Sequence, residues 1–255
     1  MRKMAIRGLG VGVLLLSLTG CATNNPRDPL EPYNRAMFQF NDTVDKALIK
    51  PVAQGYESVV PRPVRLGVNN FFSNLGDVWI GVNNLLQGKF ANAINDFGRV
   101  AINTTLGFYG VLDIASEAGL EKHQEDFGQT LAKWGVGSGP YVVLPFFGSS
   151  TVRDTVGKVV ADNRADGVTQ TDHVPTRNSA FALRTIDTRS EYLNASSVLD
   201  EAALDPYTFA RDAWLKRRLN QIYDGNPPVE DPAADEVPVS ETTADITPTS
   251  VKETP

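Results

Sequence analysis

The chain has 255 residues, 42% of them apolar, and a formal net charge of −6. That length can bury a sizeable core, and the acidic balance argues against nucleic acid as a partner. Its one cysteine, Cys21, excludes an internal disulfide and a thiolate metal site, so stability has to come from packing.

The first 20 residues read as an export leader. Arg2, Lys3 and Arg7 precede an apolar run from Gly8 to Leu18, too short for the roughly 20 residues of a bilayer-spanning helix. The run ends in Leu18-Thr19-Gly20-Cys21, small residues before a cysteine, which is the pattern of a lipobox. Cleavage there and acylation at Cys21 would tether the chain to a membrane with several acyl chains, each worth about 0.8 kcal/mol per buried CH₂. Ala22 in place of an aspartate directs such a lipoprotein to the outer membrane. Loss of Arg2, Lys3 and Arg7 with the leader takes the charge from −6 to −9. The expected organisation is a leader over 1–20, a linker over 21–27, one helical domain over 28–224 and an acidic, proline-rich disordered tail over 225–255.

Asp28-Pro29-Leu30-Glu31 has the order of a helix start, with Asp28 as N-cap. Leu30, Tyr33, Met37, Phe40, Val44 and Leu48 form one apolar stripe that runs to Lys50-Pro51. Gly67-Val68-Asn69-Asn70-Phe71-Phe72 is echoed 14 residues on by Gly81-Val82-Asn83-Asn84-Leu85-Leu86, which predicts two short linked helices, the second capped by Asp77. A helix over Phe90–Leu106 places Ala93, Ile94, Phe97, Val100, Ala101 and Thr104 on one side and Asn92, Asn95, Asp96, Arg99 and Asn103 elsewhere. Further helices are predicted over Thr151–Ala161, Ala180–Asn194 and Pro206–Tyr223, the last opened by Asp205-Pro206. Between Trp134 and Gly148, glycines and prolines bracket the run Tyr141-Val142-Val143-Leu144, which predicts a hairpin or extended loop. No stretch after the leader reaches 18 apolar residues. The amphipathic helices could therefore lie in a membrane interface, enclose a lipid path, or form an ordinary helical core.

Catalytic signatures are missing. Gly135-Val136-Gly137-Ser138-Gly139 is followed by a strand-like run where a phosphate loop needs a helix, and Ser138 has no glycine two residues before it, as a hydrolase elbow requires. His123 and His173 have no metal-ligand spacing, and Glu117, Glu121, Glu125 and Asp126 read as a wet surface. No catalytic residue, metal or cofactor is expected.

The segments Asp28-Pro29-Leu30-Glu31-Pro32-Tyr33-Asn34-Arg35-Ala36-Met37-Phe38-Gln39-Phe40-Asn41, Phe127-Gly128, the run Gly135 to Gly148, Arg153-Asp154 and Asp205-Pro206-Tyr207 stand out together. They resemble the MlaA (VacJ) family of phospholipid-transport lipoproteins. The resemblance implies a mostly α, ring-like single domain of amphipathic helices, set in the inner leaflet of the outer membrane around an amphipathic channel and facing the periplasm. It further implies that phospholipids mislocalised to the outer leaflet pass through that channel to a periplasmic carrier of the Mla pathway, with trimeric porins as membrane partners. On this likeness Gly135, Gly137, Gly139, Pro140, Tyr141, Leu144, Pro145 and Phe146 belong to a hairpin beside the lipid path, the glycines setting its conformation. The segment Ala161 to Ser179 is more charged than the resemblance leads one to expect, with Asp162, Arg164, Asp166, Asp172 and Arg177. The alternative is a structural lipoprotein that scaffolds envelope complexes without moving lipid.

Overall fold

The computed structural model describes residues 28–196 and 204–228 of the chain. The leader, Cys21, the linker and the tail beyond residue 228 lie outside the described residues. Within them the chain is one mostly helical domain with a single two-stranded sheet.

Helix α1 spans Glu31–Val44, with Pro32 in its first turn where a missing N–H costs nothing. Asp28 does not cap it. Its carboxylate is fully buried and accepts from Asn34, the Tyr207 hydroxyl and Arg211, so the acid serves a tertiary network instead of its own helix. The chain also does not break at Lys50-Pro51. A π-turn over Asp45–Ile49, closed by the Lys50 N–H on the Asp45 carbonyl, carries it into α2, Lys50–Val59. The wider turn accommodates a proline that would otherwise meet the preceding carbonyls.

The duplicated segments lie on one 25-residue helix, α3, Arg62–Leu86, not on two. Gly67 and Gly81 mark where that helix is closely approached: a Cβ would sit 2.9 Å from Val111 at the first and 2.9 Å from Phe97 at the second. The repeat is therefore one face used twice. A tight turn with Gly88 at φ +79° returns the chain into α4, Phe90–Thr105, which pairs with α3 as a helical hairpin. Short helices α5, Ile114–Glu117, and α6, Phe127–Lys133, are capped by the side chains of Asp113 and Asp126.

Strands β1, Tyr141–Leu144, and β2, Gly148–Thr151, pair antiparallel with Tyr141 opposite Thr151 and Leu144 opposite Gly148. Thr151 caps α7, Val152–Gly157, which runs through a second π-turn, Lys158–Asp162, into α8, Asn163–Ala165. Helix α9, Val174–Glu191, starts six residues before the predicted Ala180, capped by His173. Helix α10, Pro206–Ile222, is capped by Asp205 as its sequence foretold.

Burial is inverted relative to an ordinary helical domain. Among the described residues, eight apolar residues are buried against nineteen polar or charged ones. Helix α4 shows it most plainly. Asp96, Arg99 and Asn103 face inward with Ala93, while Ile94 is 73% exposed and Phe90 64%. The apolar face of this helix, which the sequence left open between core, membrane interface and lipid path, is the outer face apart from Ala93. Charged groups almost never enter a protein interior unless paired, and an apolar exterior this extensive needs a non-aqueous neighbour. Among the described residues the apolar core cluster is small, Tyr141, Val143 and Tyr207, with Met37, Phe38, Trp214 and Leu215 packed against it.

Candidate functional site

Two ion networks hold the polar interior. In the first, the 2% exposed Arg99 donates to both Asp113 oxygens at 3.0 Å, to the Ser116 hydroxyl at 3.0 Å and to the Leu120 carbonyl at 2.7 Å, with its Nε 3.5 Å from Asp77. Lys122 also pairs with Asp77. Asp77 is thus a buried mid-helix counter-ion and not the predicted cap, because α3 is continuous through it. Asp96 accepts from Asn84 and meets His123 Nδ1, each at 2.7 Å. Such charges persist in a dry interior only with partners this close.

The second network sits under the β-hairpin. Arg218 on α10 grips Asp126 at 2.6 and 2.7 Å and Asp154 at 3.0 Å on both oxygens, and Arg153 adds a bond to Asp154 at 3.0 Å. Burial alone would push the Asp126 carboxyl up, but Arg218 and the Gln129 N–H hold it below the usual range, while its partners hold Arg218 above its own against burial. Gly128 lies between these charges. A Cβ there would stand 2.5 Å from Asp154 Oδ1 and 2.6 Å from Arg218 Nη2, so Phe127-Gly128 is needed to let helix and guanidinium meet. Glu125 likewise pairs with Lys89 at 2.9 Å, so the acidic run is no wet surface at its C-terminal end.

Two asparagines one heptad apart on α1 clamp the hairpin. Asn34 donates to the Tyr141 carbonyl at 3.1 Å and accepts from the Val143 N–H at 2.8 Å. Asn41 donates to the Leu144 carbonyl at 2.9 Å and accepts from the Phe146 N–H at 2.8 Å. The turn between the strands carries Pro145, Phe146 and Phe147. Phe146 is 72% exposed, holds φ +65° and packs edge-on against Phe40 at 5.2 Å.

The predicted hairpin residues divide. Gly135 and Gly139 have positive φ, +88° and +65°, and a Cβ on Gly139 would meet Val152 at 3.1 Å. Gly137 has neither constraint, so the expectation that all three glycines set the conformation is corrected to two. Gly135 and Gly137 border a cavity of about 340 Å³ with Ser138, Arg153, Leu215 and Ile222. Pro140 is exposed and Leu144 half-buried. Tyr141, expected beside a lipid path, is in the apolar core with its hydroxyl 2.7 Å from Ser149, because alternate residues of a strand face opposite ways.

A large apolar cavity lies elsewhere, between the first half of α3 and the start of α9. It measures about 890 Å³ and is walled by Val64, Val68, Phe71, Phe72, Val111 and Leu183, within the span typical of ligand cavities, roughly 300–1,000 Å³. A separate polar cavity of about 220 Å³ is lined by Ser149, Ser150, Lys158, Trp214, Arg217 and Arg218 among others. Among the described residues no group of three His, Cys, Asp or Glu side chains could hold a metal.

The model of a family described as MlaA lipoprotein matches residues 26–221. The chain belongs to this family. It is 36% identical to the intermembrane phospholipid transport system lipoprotein MlaA of Escherichia coli K12 over 227 residues, covering 84% of this chain and 87% of that one. The protein of the same description from Haemophilus influenzae is 32% identical over 220 residues, covering 82% and 88%. A solved structure described by the words "Structural basis for maintenance of bacterial outer membrane lipid asymmetry" superposes with a TM-score of 0.67 at 35% identity, covering 78% of this chain and 99% of that one. The mostly helical single-domain fold is thus that of the MlaA family.

Sequence reasoning missed the asparagine clamp, Arg218 and the walls of the apolar cavity. Asp96, Arg99 and Asn103 recur at helical spacing on α4, as do Asn34 and Asn41 on α1, and those polar stripes were the available signal. The cavity walls come from segments more than 100 residues apart, from Val64 to Leu183, and no local pattern joins them.

Proposed function

We propose that this chain is an outer-membrane lipoprotein that removes mislocalised phospholipids from the outer leaflet and passes them to a periplasmic carrier, without chemical conversion. The observation that carries the reading is the inverted burial, together with an apolar cavity of about 890 Å³. A lipid mover at a membrane needs apolar walls for acyl chains, a polar interior for charged groups and an outer surface that tolerates lipid. No described helix is long and apolar enough to cross a membrane, which accords with seating in one leaflet.

In this reading residues 1–20 are removed, Cys21 is acylated, residues 28–224 form the transport domain facing the periplasm from the inner leaflet, and the acidic segment 225–255 is a solvated arm. Trimeric porins and a periplasmic lipid carrier of the Mla pathway are its partners. The hairpin bearing Gly135, Gly137, Gly139, Pro140, Tyr141, Leu144, Pro145 and Phe146 borders the lipid path. Its exposed turn meets lipid, and Tyr141 fixes its base.

The deciding measurement is outer-leaflet phospholipid, read by enzymatic acylation in cells lacking this protein. The expected result is a rise reversed by the wild-type gene, but neither by Cys21→Ala nor by Leu183→Trp, which narrows the cavity. An unchanged outer leaflet on deletion would instead leave a scaffold that moves no lipid.

A further inference from the structure

The polar cavity of about 220 Å³ between β2, the second π-turn and α10 has an uneven balance of partners. Its acids are already satisfied. Asp126 and Asp154 are held by Arg218, and Asp162 accepts from the Trp79 indole at 2.8 Å and the Phe127 N–H at 3.0 Å. Half-buried Lys158 and exposed Arg217 are beyond ion-pair distance of any described carboxylate, although the Lys158 charge acts on Asp162, and the Lys158 ammonium stands 5.8 Å from the Phe147 ring. Of the three tryptophans, Trp79 and Trp134 donate their indole N–H to Asp162 and to the Leu86 carbonyl, whereas Trp214, in the cavity wall, donates to no described acceptor. Two cations and a neutral donor thus border a small space in which Asp126 and Asp154 are paired with Arg218 and Arg153, and the third acid, Asp162, is hydrogen-bonded by neutral donors and feels the Lys158 charge.

We propose that this cavity is a phosphate subsite, in which Lys158, Arg217 and Trp214 take the phosphodiester of a phospholipid head group. The inference rests on the phospholipid reading above and adds to it the place and the residues that hold the charged end. Arg217 supplies the planar fork that fits phosphate oxygens, Lys158 a point charge, and Trp214 a flat donor wall. The volume suits a phosphate with a small substituent and excludes the acyl chains, which remain outside.

The test is calorimetric titration of the full-length acylated protein in detergent with dihexanoyl phosphatidylglycerol, dihexanoylglycerol, glycerophosphoglycerol and inorganic phosphate. The phospholipid is expected to bind and the phosphate-free diacylglycerol to bind more weakly. Lys158→Gln with Arg217→Gln should weaken the phospholipid about tenfold or more, as loss of charge-assisted bonds does, while Lys158→Arg with Arg217→Lys keeps most of the affinity. Equal binding by the double glutamine variant would overturn the subsite. Inorganic phosphate or glycerophosphoglycerol binding as tightly as the phospholipid would overturn the lipid source. Should the glutamine variant not fold, the salt dependence of wild-type binding decides, since an affinity unmoved by salt has no phosphate–cation contact in it. Outer-leaflet acylation in the deletion strain tests the transport reading separately, so a rise there with unchanged affinity in the variant sinks the subsite alone.

Discussion

Asn34 serves three partners with one fully buried carboxamide: the Asp28 carboxylate at 2.9 Å, the Tyr141 carbonyl and the Val143 N–H. Asn34→Leu fills the space but strands the Tyr141 carbonyl and the Val143 N–H away from water, at roughly 1–3 kcal/mol each, while Asp28 keeps Tyr207 and Arg211, so a loss of about 2 kcal/mol or more is expected. Urea unfolding measures it, and a loss under about 1 kcal/mol would mean the hairpin does not depend on this clamp. Asp113 makes a second residue-scale prediction. Its burial would raise its carboxyl, but bonds from Ser116, Asn103 and Arg99 outweigh this and take it from the ordinary 3.8 to about 2. A depressed folded-state value stabilises the fold wherever pH exceeds the unfolded value, and that stabilisation fades as pH falls from about 4 through 2. Urea midpoints of the wild type should therefore drop through this window, whereas Asp113→Asn starts lower and drops less. Parallel curves would remove Asp113 from the acid response.

At the scale of elements, the glycine-rich entry to the hairpin separates strain from space. Gly139→Ala places a Cβ at φ +65° and 3.1 Å from Val152, and should cost about 1–2 kcal/mol, the usual penalty of a left-handed L-residue. Gly137→Ala meets nothing within 4 Å at an ordinary φ, and should change stability by less than about 1 kcal/mol, favourably if the unfolded chain loses freedom. Thermal unfolding of the two variants side by side checks this, and equal losses would mean the loop is set by something other than Gly139. The elements were legible in the sequence wherever a local rule governed them. Asp205-Pro206 opened α10, and Gly135 to Gly148 announced a turn-bracketed strand. The errors came where a distant partner overrode the local rule. Asp28 and Asp77 look like caps, yet each is a counter-ion for a residue elsewhere in the chain, Arg211 and Arg99. Pro51 reads as a stop, and only the π-turn before it, which has no sequence signature of its own, lets the helix through. The candidate site was half legible: the hairpin could be read from its glycines, while the cavities are made by tertiary packing.

For the whole molecule, amphipathicity is readable from sequence but its direction is not. A stripe of Ile94, Phe97 and Ala101 has the same period whether it faces a core or a bilayer, and only the placement of Asp96, Arg99 and Asn103 decides. Because those polar residues are consumed by Asp77, Asp113, Asn84 and His123, turning α4 over would strand them, and the apolar face is left outside. That face should hold the protein to lipid even without its anchor. A chain that begins at Ala22, without leader or acyl group, is expected to float with phospholipid vesicles in a density gradient. Adding Ile94→Lys and Leu106→Lys, at positions 73% and 66% exposed, should release it while leaving its helical content unchanged. A lysine at the centre of a bilayer costs about 2.5–3.5 kcal/mol, and one near the interface less, so two substitutions should move most of the protein off the vesicles. In water the same substitutions replace exposed apolar surface with solvated charge, so they should raise solubility and spare the fold. Undiminished flotation would place α4 away from the bilayer, with a protein neighbour on its apolar face. Loss of helical content would mean that Ile94 and Leu106 pack inside.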